Sequence, residues 1–487
     1  MSYKKLNSSL EEISIDRLLR FNYRTTKYKK NIIEKEKFYS NSLKIKSLFN
    51  ILSGYAFSSK DYTEDGIFIV RIGDLNSYNL NYDNMVKVPF EYYVSKKFSN
   101  YIVKKEDILV SLTGDGNLKC LYFDDDEKLL LNQRVAILRA KKNINTKFFY
   151  WLLNSDFVKE QFAYYSNGKS QLNISPFDLA NIRLPLLDEK KQKEFMEKIT
   201  PEIEKINKIS LNKKKLCYLI NDVFAEKFNY DKNLINELRK GMTYGTQSST
   251  NRKLNTFYNN FSNITDNKLR LSARANAPIV HSIYEIINKF GTINLKDVVY
   301  ENIHRGKSPE YDKNGSIPVI KTAHVTNNGI SAEYEEFVNN DFYDKKVDSQ
   351  LKNGDILLAS TGKPSIGKID IFEGDYKAIP DGHITIIRID KNKYNRNFFV
   401  YFIRSVLGYM QIEKDYVGCT NQIELYPEEI GKIKLPNISL SEQEEIAKEI
   451  DEKINEQNEI ENMINNEQEK IEKILLETLN DQNISKN

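Results

Sequence analysis

Cysteine is scarce in this chain. Only three of the 487 residues are cysteines, Cys120, Cys217 and Cys419, and they are too few and too scattered for a disulfide framework or a Cys-x-x-Cys metal site. The sequence also has no apolar leader near its first residues and no run of ~18 apolar residues that would cross a membrane. This pattern is typical of a reducing compartment, so we expect a cytoplasmic protein with no membrane partner.

Nucleotide-binding and methyl-transfer motifs are incomplete. Gly-Lys-Ser occurs at 168–170 and at 306–308, but a phosphate-binding loop needs a further glycine five residues earlier, where the chain has Ala163 and Glu301. None of the eleven prolines adjoins another, which excludes the Asn/Asp-Pro-Pro-aromatic motif of adenine methyltransferases. The nearest approach to a glycine-rich turn for S-adenosylmethionine is 114–116.

Metal-dependent catalysis has no better support. A Pro-Asp pair at 380–381 is not followed by the Asp-x-Lys of a metal-dependent nuclease, because the matching residues, 375–377, precede it. The four histidines are too far apart in the sequence for a local metal site; they are His281, His304, His324 and His383. The sequence therefore predicts no catalytic site, no metal and no cofactor in this chain.

Length and composition indicate a folded protein with more than one domain. A chain of 487 residues exceeds the size at which a single core stops growing. Hydrophobic residues make up 40%, and 30 Tyr with 25 Phe supply enough aromatic surface for packed cores. The net charge of +4 is weak support for an anionic partner, because the total hides any separation of charge between faces.

The chain repeats itself at a spacing of roughly 250 residues. Several phrases return in the same order: Gly66–Arg71 as Gly315–Lys321, Lys104–Gly114 as Lys352–Gly362, and Ile182–Pro185 with Gln192 as Ile433–Pro436 with Gln443. The repeat predicts two similar but non-identical domains. Such a pair suits the binding of two similar but non-identical targets at a fixed separation, since linkage makes the second contact intramolecular.

Each half has mixed α/β character. Apolar runs at 68–72 and 107–111 lie between glycine turns and predict strands, whereas 145–165 has apolar residues at helical spacing. We predict an α/β (α+β) fold with two tandem domains, each followed by a long helix. The predicted boundaries are a leader with a short helix at 1–42, a first domain at 43–187, a helix at 188–240, a linker at 241–264, a second domain at 265–438 and a second helix at 439–487.

The two predicted long helices carry apolar seams that advance by steps of three and four. The first seam consists of Phe195, Ile199, Ile206, Ile209, Leu216, Ile220 and Val223, with Glu202 and Lys213 as polar interruptions. The second consists of Ile446, Ile450, Ile460, Ile464, Ile471 and Ile474, interrupted by Lys453, Gln457 and Glu467. Such seams are typical of coiled coils, so we expect the helices to pair antiparallel. The alternative is that each helix packs on its own domain. Pro201 predicts a bend or a late start of the first helix, which otherwise runs from Gln192 to about Phe228.

Polar and basic loops occupy comparable places in the two halves. Arg and Lys suit guanine edges and phosphates, Asn and Gln suit adenine edges, and glycine lets a backbone approach a phosphate. The alternative is that these are ordinary solvated turns. The candidate DNA-binding residues are Tyr55, Ser58, Ser59, Lys60, Arg71, Asn167, Lys169, Ser170 and Gln171 in the first half, and His304, Arg305, Lys307, Lys321, His324, Lys363, Thr420, Asn421 and Gln422 in the second.

An ordered set of phrases resembles a known family. Ser53–Lys60, Phe68–Asp74, Leu131–Val135, Ile182–Leu187 with Gln192, and Gly354–Gly362 are similar to the specificity subunit of type I restriction-modification enzymes. The resemblance covers nearly the whole chain, except the leader and the linker. It implies two target-recognition domains, each reading one half of a bipartite asymmetric DNA target, with the helices setting the spacer between the halves.

The resemblance also implies the partners. A subunit of this kind has no catalytic activity and docks two methyltransferase subunits on double-stranded DNA, together with two motor-endonuclease subunits in the full nuclease. Those partners would supply the S-adenosylmethionine, ATP and Mg²⁺ chemistry. Two other hypotheses stay open from the sequence: a scaffold whose domains bind only proteins, and a stand-alone DNA nuclease or methyltransferase.

Overall fold

Two units of similar construction make up the described part of the chain. The computed structural model describes residues 42–63, 65–75, 80, 82, 85–114, 118–142, 144–166, 172–242, 274–327, 329–332, 334–363, 365–419 and 422–484. Among these, unit 1 comprises 42–212 and 462–484, and unit 2 comprises 213–242 and 274–461. The predicted leader helix and most of the predicted linker lie outside the described residues.

Unit 1 contains a four-stranded antiparallel sheet and a three-stranded mixed sheet. Its strands are β1 Ser42–Lys44, β2 Phe49–Ser53, β3 Ile67–Val70, β4 Val86–Val88, β5 Ile108–Ser111, β6 Thr113–Gly114, β7 Cys120–Tyr122, β8 Leu129–Leu131, β9 Val135–Ala140, β10 Leu172–Asn173 and β11 Arg183–Pro185. Its helices are α1 Ile45–Leu48, α2 Phe90–Val94, α3 Thr146–Leu153, α4 Asp156–Tyr165, α5 Pro176–Leu179 and α6 Glu189–Ser210. The sheets have the orders β2-β9-β5-β7 and β4-β3-β8, and β3 runs parallel to β8.

Unit 2 repeats this plan. It contains α7 Leu216–Lys227, α8 Lys232–Met242, α9 Pro278–Asn288, β12 Thr292–Asn294, β13 His304–Arg305, β14 Ile317–Ile320, β15 Val325–Thr326, β16 Gly329–Ile330, β17 Phe337–Val338, α10 Asn340–Lys345, β18 Ile356–Ala359, β19 Ile369–Ile371, β20 Ile379–Pro380, β21 Ile384–Ile387, α11 Arg396–Arg404, α12 Val406–Asp415, β22 Val417–Cys419, β23 Gln422–Glu424, α13 Pro427–Ile430 and β24 Lys434–Pro436. The sheets β13-β21-β18-β19 and β17-β14-β20 match those of unit 1 strand for strand. The duplication predicted from the sequence is therefore a duplication of fold.

The central strands explain why the sequence reads as short apolar runs. All four residues of β5 are buried, and so are all four of β18. A strand that is buried on both faces carries apolar residues continuously and not at alternate positions. These strands therefore lie within the core of each unit.

Each unit contains the same arginine–aspartate ion pair, in which the aspartate is buried. In unit 1, Arg139 Nε donates to Asp107 Oδ1 at 2.8 Å. In unit 2, Arg388 Nε donates to Asp355 Oδ1 at 2.9 Å, and both side chains are almost fully buried. A buried carboxylate is costly unless it is paired, so each pair neutralises a charge that the sheet encloses.

A buried glutamine also recurs. Gln161 Nε2 donates to the carbonyl of Arg183, and its Oε1 accepts from the amide of the same residue, both at 2.9 Å. Gln411 makes the same two bonds to Lys434 at 2.9 Å. Each glutamine thereby satisfies a backbone edge that helix packing would otherwise leave unpaired.

The predicted helix at 145–165 is two helices. After α3, Ser155 takes an extended backbone conformation, and its Oγ donates to the carbonyl of Leu152 at 2.6 Å before α4 begins. Ser405 makes the same contact with Phe402 at 2.6 Å between α11 and α12. The helical spacing at 145–165 thus corresponds to two helices and not to one, because a serine hydroxyl bonds the Leu152 carbonyl at this point.

The first predicted long helix is also divided. α6 ends at Ser210 and α7 begins at Leu216, and Leu211 between them is 85% exposed. Lys215 has an extended backbone, and three consecutive lysines occupy 213–215. The continuous helix from Gln192 to Phe228 was therefore wrong. The late start at Pro201 was wrong as well, because α6 begins at Glu189 and passes through that proline.

The second long helix, α14 Leu440–Ile484, is continuous over 45 residues. Most seam positions are buried as predicted; these are Phe195, Ile199, Ile206, Ile220, Val223, Ile446, Ile450, Ile464 and Ile471. The other four seam positions, Ile209, Leu216, Ile460 and Ile474, are half-buried, and Leu475 beside Ile474 is buried. The pairing of the helices as a coiled coil stays a prediction.

Candidate nucleic-acid interface

A tight turn follows the short parallel strand in each unit. In unit 1 the turn begins at Asn132, directly after β8, and the Asn132 amide donates to the carbonyl of Val70 at 3.0 Å. In unit 2 it begins at Asp381, after β20, and the Asp381 amide donates to the carbonyl of Ile320, also at 3.0 Å. The parallel pairing of β3 with β8, and of β14 with β20, thus sets where each turn starts.

The turns close in the same way. The Val135 amide donates to the Asn132 carbonyl at 3.0 Å, and the Asn132 side-chain oxygen accepts from the Arg134 amide at 3.4 Å. A second strand end supports the turn, because the Leu112 amide donates to the Arg134 carbonyl at 2.9 Å. This leaves Gln133 and Arg134 exposed at the apex.

Unit 2 reproduces each of these bonds. The Ile384 amide donates to the Asp381 carbonyl at 3.2 Å, the Asp381 carboxylate accepts from the His383 amide at 2.9 Å, and the Ser360 amide donates to the His383 carbonyl at 3.0 Å. Gly382 and the exposed His383 form the apex. We call Gln133–Arg134 and Gly382–His383 the turn tips.

Glycine is required beside each turn. A Cβ atom on Gly54 would lie 2.1 Å from the carbonyl oxygen of Asn132, and one on Gly306 would lie 2.3 Å from the carbonyl oxygens of Pro380 and Asp381. Both glycines belong to loops that the sequence singled out. Their role is to let the loop backbone pass close to the turn, and the Gly54 amide bonds to the Val135 carbonyl as the Gly306 amide bonds to that of Ile384.

The predicted residues of unit 1 divide between this turn and the interior. The Tyr55 carbonyl accepts from the Gln133 amide at 3.1 Å, but the Tyr55 ring packs in an aromatic cluster against Phe57 and Phe98, each at 5.1 Å. Arg71 lies at the end of β3 and pairs with the buried Asp74 at 3.1 Å. Both residues are near the turn through backbone connections, while their side chains serve the fold.

Ser58 and Lys60 lie further along the same loop. Ser58 precedes a short 3-10 helix, and its Oγ accepts from the Lys60 amide at 3.2 Å. Lys60 is exposed. The side chain of Ser59 lies outside the described residues, as do Asn167, Lys169, Ser170 and Gln171.

In unit 2, the side chains of His304 and Arg305 contact backbone carbonyl groups of the same unit. The two ring nitrogens of His304 lie 2.8 Å from the carbonyl oxygens of Asn302 and Asp348. Arg305 donates to the carbonyl of Leu425 at 3.0 Å, and its guanidinium lies 5.1 Å from the ring centre of Tyr426. Both side chains therefore stabilise the packing of 304–305 against the segments that contain Asp348 and Leu425.

Lys321 and His324 stand where β14 ends, beside Asp381. Lys321 forms an ion pair with Glu336, and the Lys321 amide donates to His324 Nδ1 at 2.9 Å. The hydrogen bond from Lys321 holds the pKa of Glu336 below its usual value. Burial lowers the pKa of His324 and raises that of Asp381. The charge of Lys321 is therefore largely compensated within the protein.

Three further predicted residues of unit 2, Lys307, Lys363 and Gln422, are exposed. Lys307 follows Gly306, and Lys363 follows Gly362 after β18; Gln422 begins β23. The Thr361 hydroxyl lies 2.9 Å from His383 Nδ1, which brings the loop of Lys363 to the turn tip. Thr420 and Asn421 lie outside the described residues.

Sequence reasoning missed the turn tips themselves. Gln133, Arg134 and His383 were not among the candidates, although Leu131–Val135 contributed to the family resemblance. The structure brings the Gly54 and Gly306 loops and the ends of β3 and β14 to these tips. A signal did exist, because β9 begins four residues after the end of β8, and β21 begins four residues after the end of β20.

The described part of the chain contains no group of three or more His, Cys, Asp or Glu side chains placed to hold a metal ion. None of the helices in the described ranges is both long enough and apolar enough to cross a bilayer.

Comparison with curated proteins finds specificity subunits. The type I restriction enzyme EcoAI specificity subunit of Escherichia coli is 27% identical over 169 residues, which is 34% of this chain and 28% of that protein. The MjaVIII specificity subunit of Methanocaldococcus jannaschii is 27% identical over 163 residues, 32% of this chain and 38% of that protein. These alignments span less than two fifths of the relatives' length.

Solved structures with similarity over most of the chain include two subunits of the same kind. The S subunit of a type I restriction-modification system from M. genitalium has 15% identity and a TM-score of 0.35, with 90% of this chain and 95% of that chain covered. The HsdS subunit from Thermoanaerobacter tengcongensis has 12% identity and a TM-score of 0.30, with 90% and 96% covered.

The family model described as type I restriction modification DNA specificity domain matches twice, at residues 39–216 and 288–470. The two matches fall on the two structural repeats, and together they cover well over half of the chain. The chain therefore belongs to the family of type I restriction-modification DNA specificity domains.

Proposed function

We propose that this chain is the noncatalytic specificity subunit of a type I restriction-modification complex, and that each unit reads one half of a bipartite asymmetric DNA target. One observation carries the proposal: the same turn, closed by the same hydrogen bonds, presents Gln133–Arg134 in one unit and Gly382–His383 in the other. Two half-sites of different sequence require different side chains on one scaffold, because base edges differ in their donors and acceptors.

The helices are proposed to set the spacer between the two half-sites by pairing antiparallel. Contacts inside each unit support this pairing. In unit 1, Lys205 lies 3.8 Å from Glu467, and in unit 2 Lys227 lies 3.0 Å from Glu449. Within unit 2, residue numbers rise from Lys213 to Lys227 in one partner as they fall from Glu461 to Glu449 in the other, as an antiparallel pair requires. At ~1.5 Å per residue, the 45 residues of α14 give a helix of about 68 Å.

The break between α6 and α7 fits the same proposal. In unit 2, the amide of Lys214 donates to the side chain of Gln457 at 2.7 Å, and Lys213 pairs with Glu461. A side chain of α14 thus bonds a backbone amide at the place where the shorter helix is interrupted. The register of the two helices would be anchored at this point.

The partners are proposed from family membership. Two methyltransferase subunits would dock on the chain, and two motor-endonuclease subunits would join them in a restricting complex. S-adenosylmethionine, ATP and Mg²⁺ would be bound by those partners, which would flip an adenine out of the duplex for methylation. We propose a cytoplasmic location for the complex, because its substrate would be genomic DNA.

Selection of DNA by the assembled complex tests the function. The full chain with its methyltransferase partner is incubated with random duplexes, and the bound fraction is sequenced. We expect two short conserved blocks separated by a spacer of constant length. Affinity should also fall with salt, with a log-log slope of about −0.9 per phosphate neutralised. Equal binding of all sequences would contradict the proposal, and salt-insensitive or absent DNA binding would favour a protein scaffold.

A further inference from the structure

We propose that the turn tips are specificity-determining elements, with Arg134 contacting a guanine in the half-site of unit 1 and His383 contacting a base in the half-site of unit 2. This inference rests on the proposed function and names the residues that would perform it. The two units share the turn and its hydrogen bonds and differ in the exposed side chains that the turn carries.

The backbone hydrogen bonds around each turn tip are the same in both units. In both units the first turn residue bonds to a strand carbonyl at 3.0 Å, its side-chain oxygen accepts from the amide two residues later, and the apex carbonyl accepts an amide from the end of the central strand. A glycine lies against the turn in each case. A support of this kind places whatever side chain stands at the apex in a defined position, which base reading needs.

The apex side chains differ, and they are exposed. Arg134 in unit 1 corresponds to His383 in unit 2, and Gln133 corresponds to Gly382. By contrast, the basic residues at the neighbouring strand ends are paired inside the protein, Arg71 with Asp74. Because these side chains are exposed and the turn backbone is the same, a substitution at the apex can change which bases are contacted without lowering the stability of the fold.

The chemistry of the unit 1 tip favours a guanine. The Arg guanidinium presents a planar fork of donors that matches guanine O6 and N7 in the major groove, while a neighbouring Gln suits an adenine edge. Arg134 contributes its amide and its carbonyl to the turn, so its backbone is fixed while the guanidinium extends from the apex.

The unit 2 tip presents a different group. His383 Nδ1 lies 2.9 Å from the Thr361 hydroxyl, which orients the ring and leaves Nε2 as the nitrogen for a base. The three atoms nearest to a Cβ on Gly382 would belong to Ser308 and Gly306, at 3.8–3.9 Å, which is ordinary van der Waals contact. Unit 2 therefore has no side chain at the position of Gln133 in unit 1, and the half-sites should differ at the corresponding bases.

The test uses the full chain with its methyltransferase partner and selection from random duplexes. For Arg134→Ala we expect the preference for guanine at one position of one half-site to fall about 5- to 150-fold, with the other half-site unchanged. For His383→Ala the loss should appear only in the other half-site. Lys105→Ala, which removes an exposed positive charge from the same domain, is the matched control and should leave both half-sites unchanged.

A charge-preserving variant separates base reading from phosphate contact. Arg134→Lys keeps the charge and can still donate to a guanine, but it loses the planar fork, so guanine preference should fall between that of the wild type and that of Arg134→Ala, with the salt slope unchanged. If Arg134→Ala instead weakened all sequences equally and reduced the salt slope by about 1, Arg134 would be a phosphate contact and the inference would be overturned. Melting curves followed by Trp151 fluorescence verify that each unit 1 variant is folded.

Failure of the inference and failure of the proposed function give different results. A wild-type complex that selects two blocks, with variants that select the same two blocks, would overturn only the role of the tips. A wild-type complex that selects no sequence at all would overturn both.

Discussion

Substituting alanine for Gly54 should destabilise unit 1 measurably. The added Cβ would lie 2.1 Å from the Asn132 carbonyl oxygen and 2.5 Å from that of Leu131. Both obstacles are backbone atoms, so neither can rotate away as a flexible side chain would. Overpacking of this kind costs about 1–3 kcal/mol, and the shortness of these contacts favours the upper part of that range. A loss of about 2–3 kcal/mol corresponds to a fall of roughly 4–12 °C in melting temperature for a domain of this size.

The chain carries its own probe for this experiment. Trp151 is the single tryptophan and is buried in α3 of unit 1, so its fluorescence follows the unfolding of that unit. The matched control is Gly73→Ala, since a Cβ at Gly73 would meet no atom within 4 Å. We expect the control to melt like the wild type and Gly54→Ala to melt earlier. Equal melting of Gly54→Ala and wild type would show that the turn yields, and that the tip is not held rigidly.

Three further predictions concern unit 2, each checked by thermal melting of the full chain followed by circular dichroism. Arg388→Ala should cost about 3–5 kcal/mol because it leaves the buried Asp355 unpaired, whereas Arg388→Met combined with Asp355→Leu should recover most of that loss; no recovery would argue against charge burial as the cause. The hydrogen bond from Arg388 lowers the pKa of Glu301 in the folded protein. The ionised Glu301 carboxylate therefore stabilises the fold at pH values above its unfolded-state pKa, and this stabilisation is lost as the pH falls through its folded-state pKa. Glu301→Gln should therefore narrow the difference in melting temperature between neutral and acidic pH, and an unaltered difference would refute this. Gln411→Leu removes both bonds to the Lys434 backbone and should cost about 1–3 kcal/mol, so a wild-type melting curve would mean that the backbone finds other partners.

The duplication and the strands could be predicted because they depend on local residue patterns. The apolar runs at 68–72 and 107–111 correspond to β3 and β5 within one or two residues at each end. The helix boundaries were harder to predict. Apolar spacing continues across Ser155 and across 211–215, while the helices stop there, because the stop depends on a side-chain bond in one case and on extended backbone at Lys215 in the other.

The candidate site was predicted in outline, and its centre was missed for a physical reason. The loops of Gly54 and Gly306 and the strand ends at Arg71 and Lys321 were identified from composition. The turn that joins them arises from parallel pairing of β3 with β8, which are far apart in sequence, and local patterns carry no information about such pairing. Composition also overstated the basic residues, since it cannot show that Lys321 is paired with Glu336.

Comparison of the two units separates residues that hold the fold from residues that are available to a ligand. Where both units make the same bond, as Gln161 and Gln411 do, selection for folding is sufficient to explain the residue. Where the frame is the same and an exposed side chain differs, as at Arg134 and His383, folding does not explain the difference. The combined variant Gln133→Gly/Arg134→His tests this distinction. It should change the bases that unit 1 selects and leave the melting temperature measured by Trp151 fluorescence unchanged. A melting curve that shifts with the tip would mean that the tip is part of the frame, and the distinction between the two kinds of residue would fail.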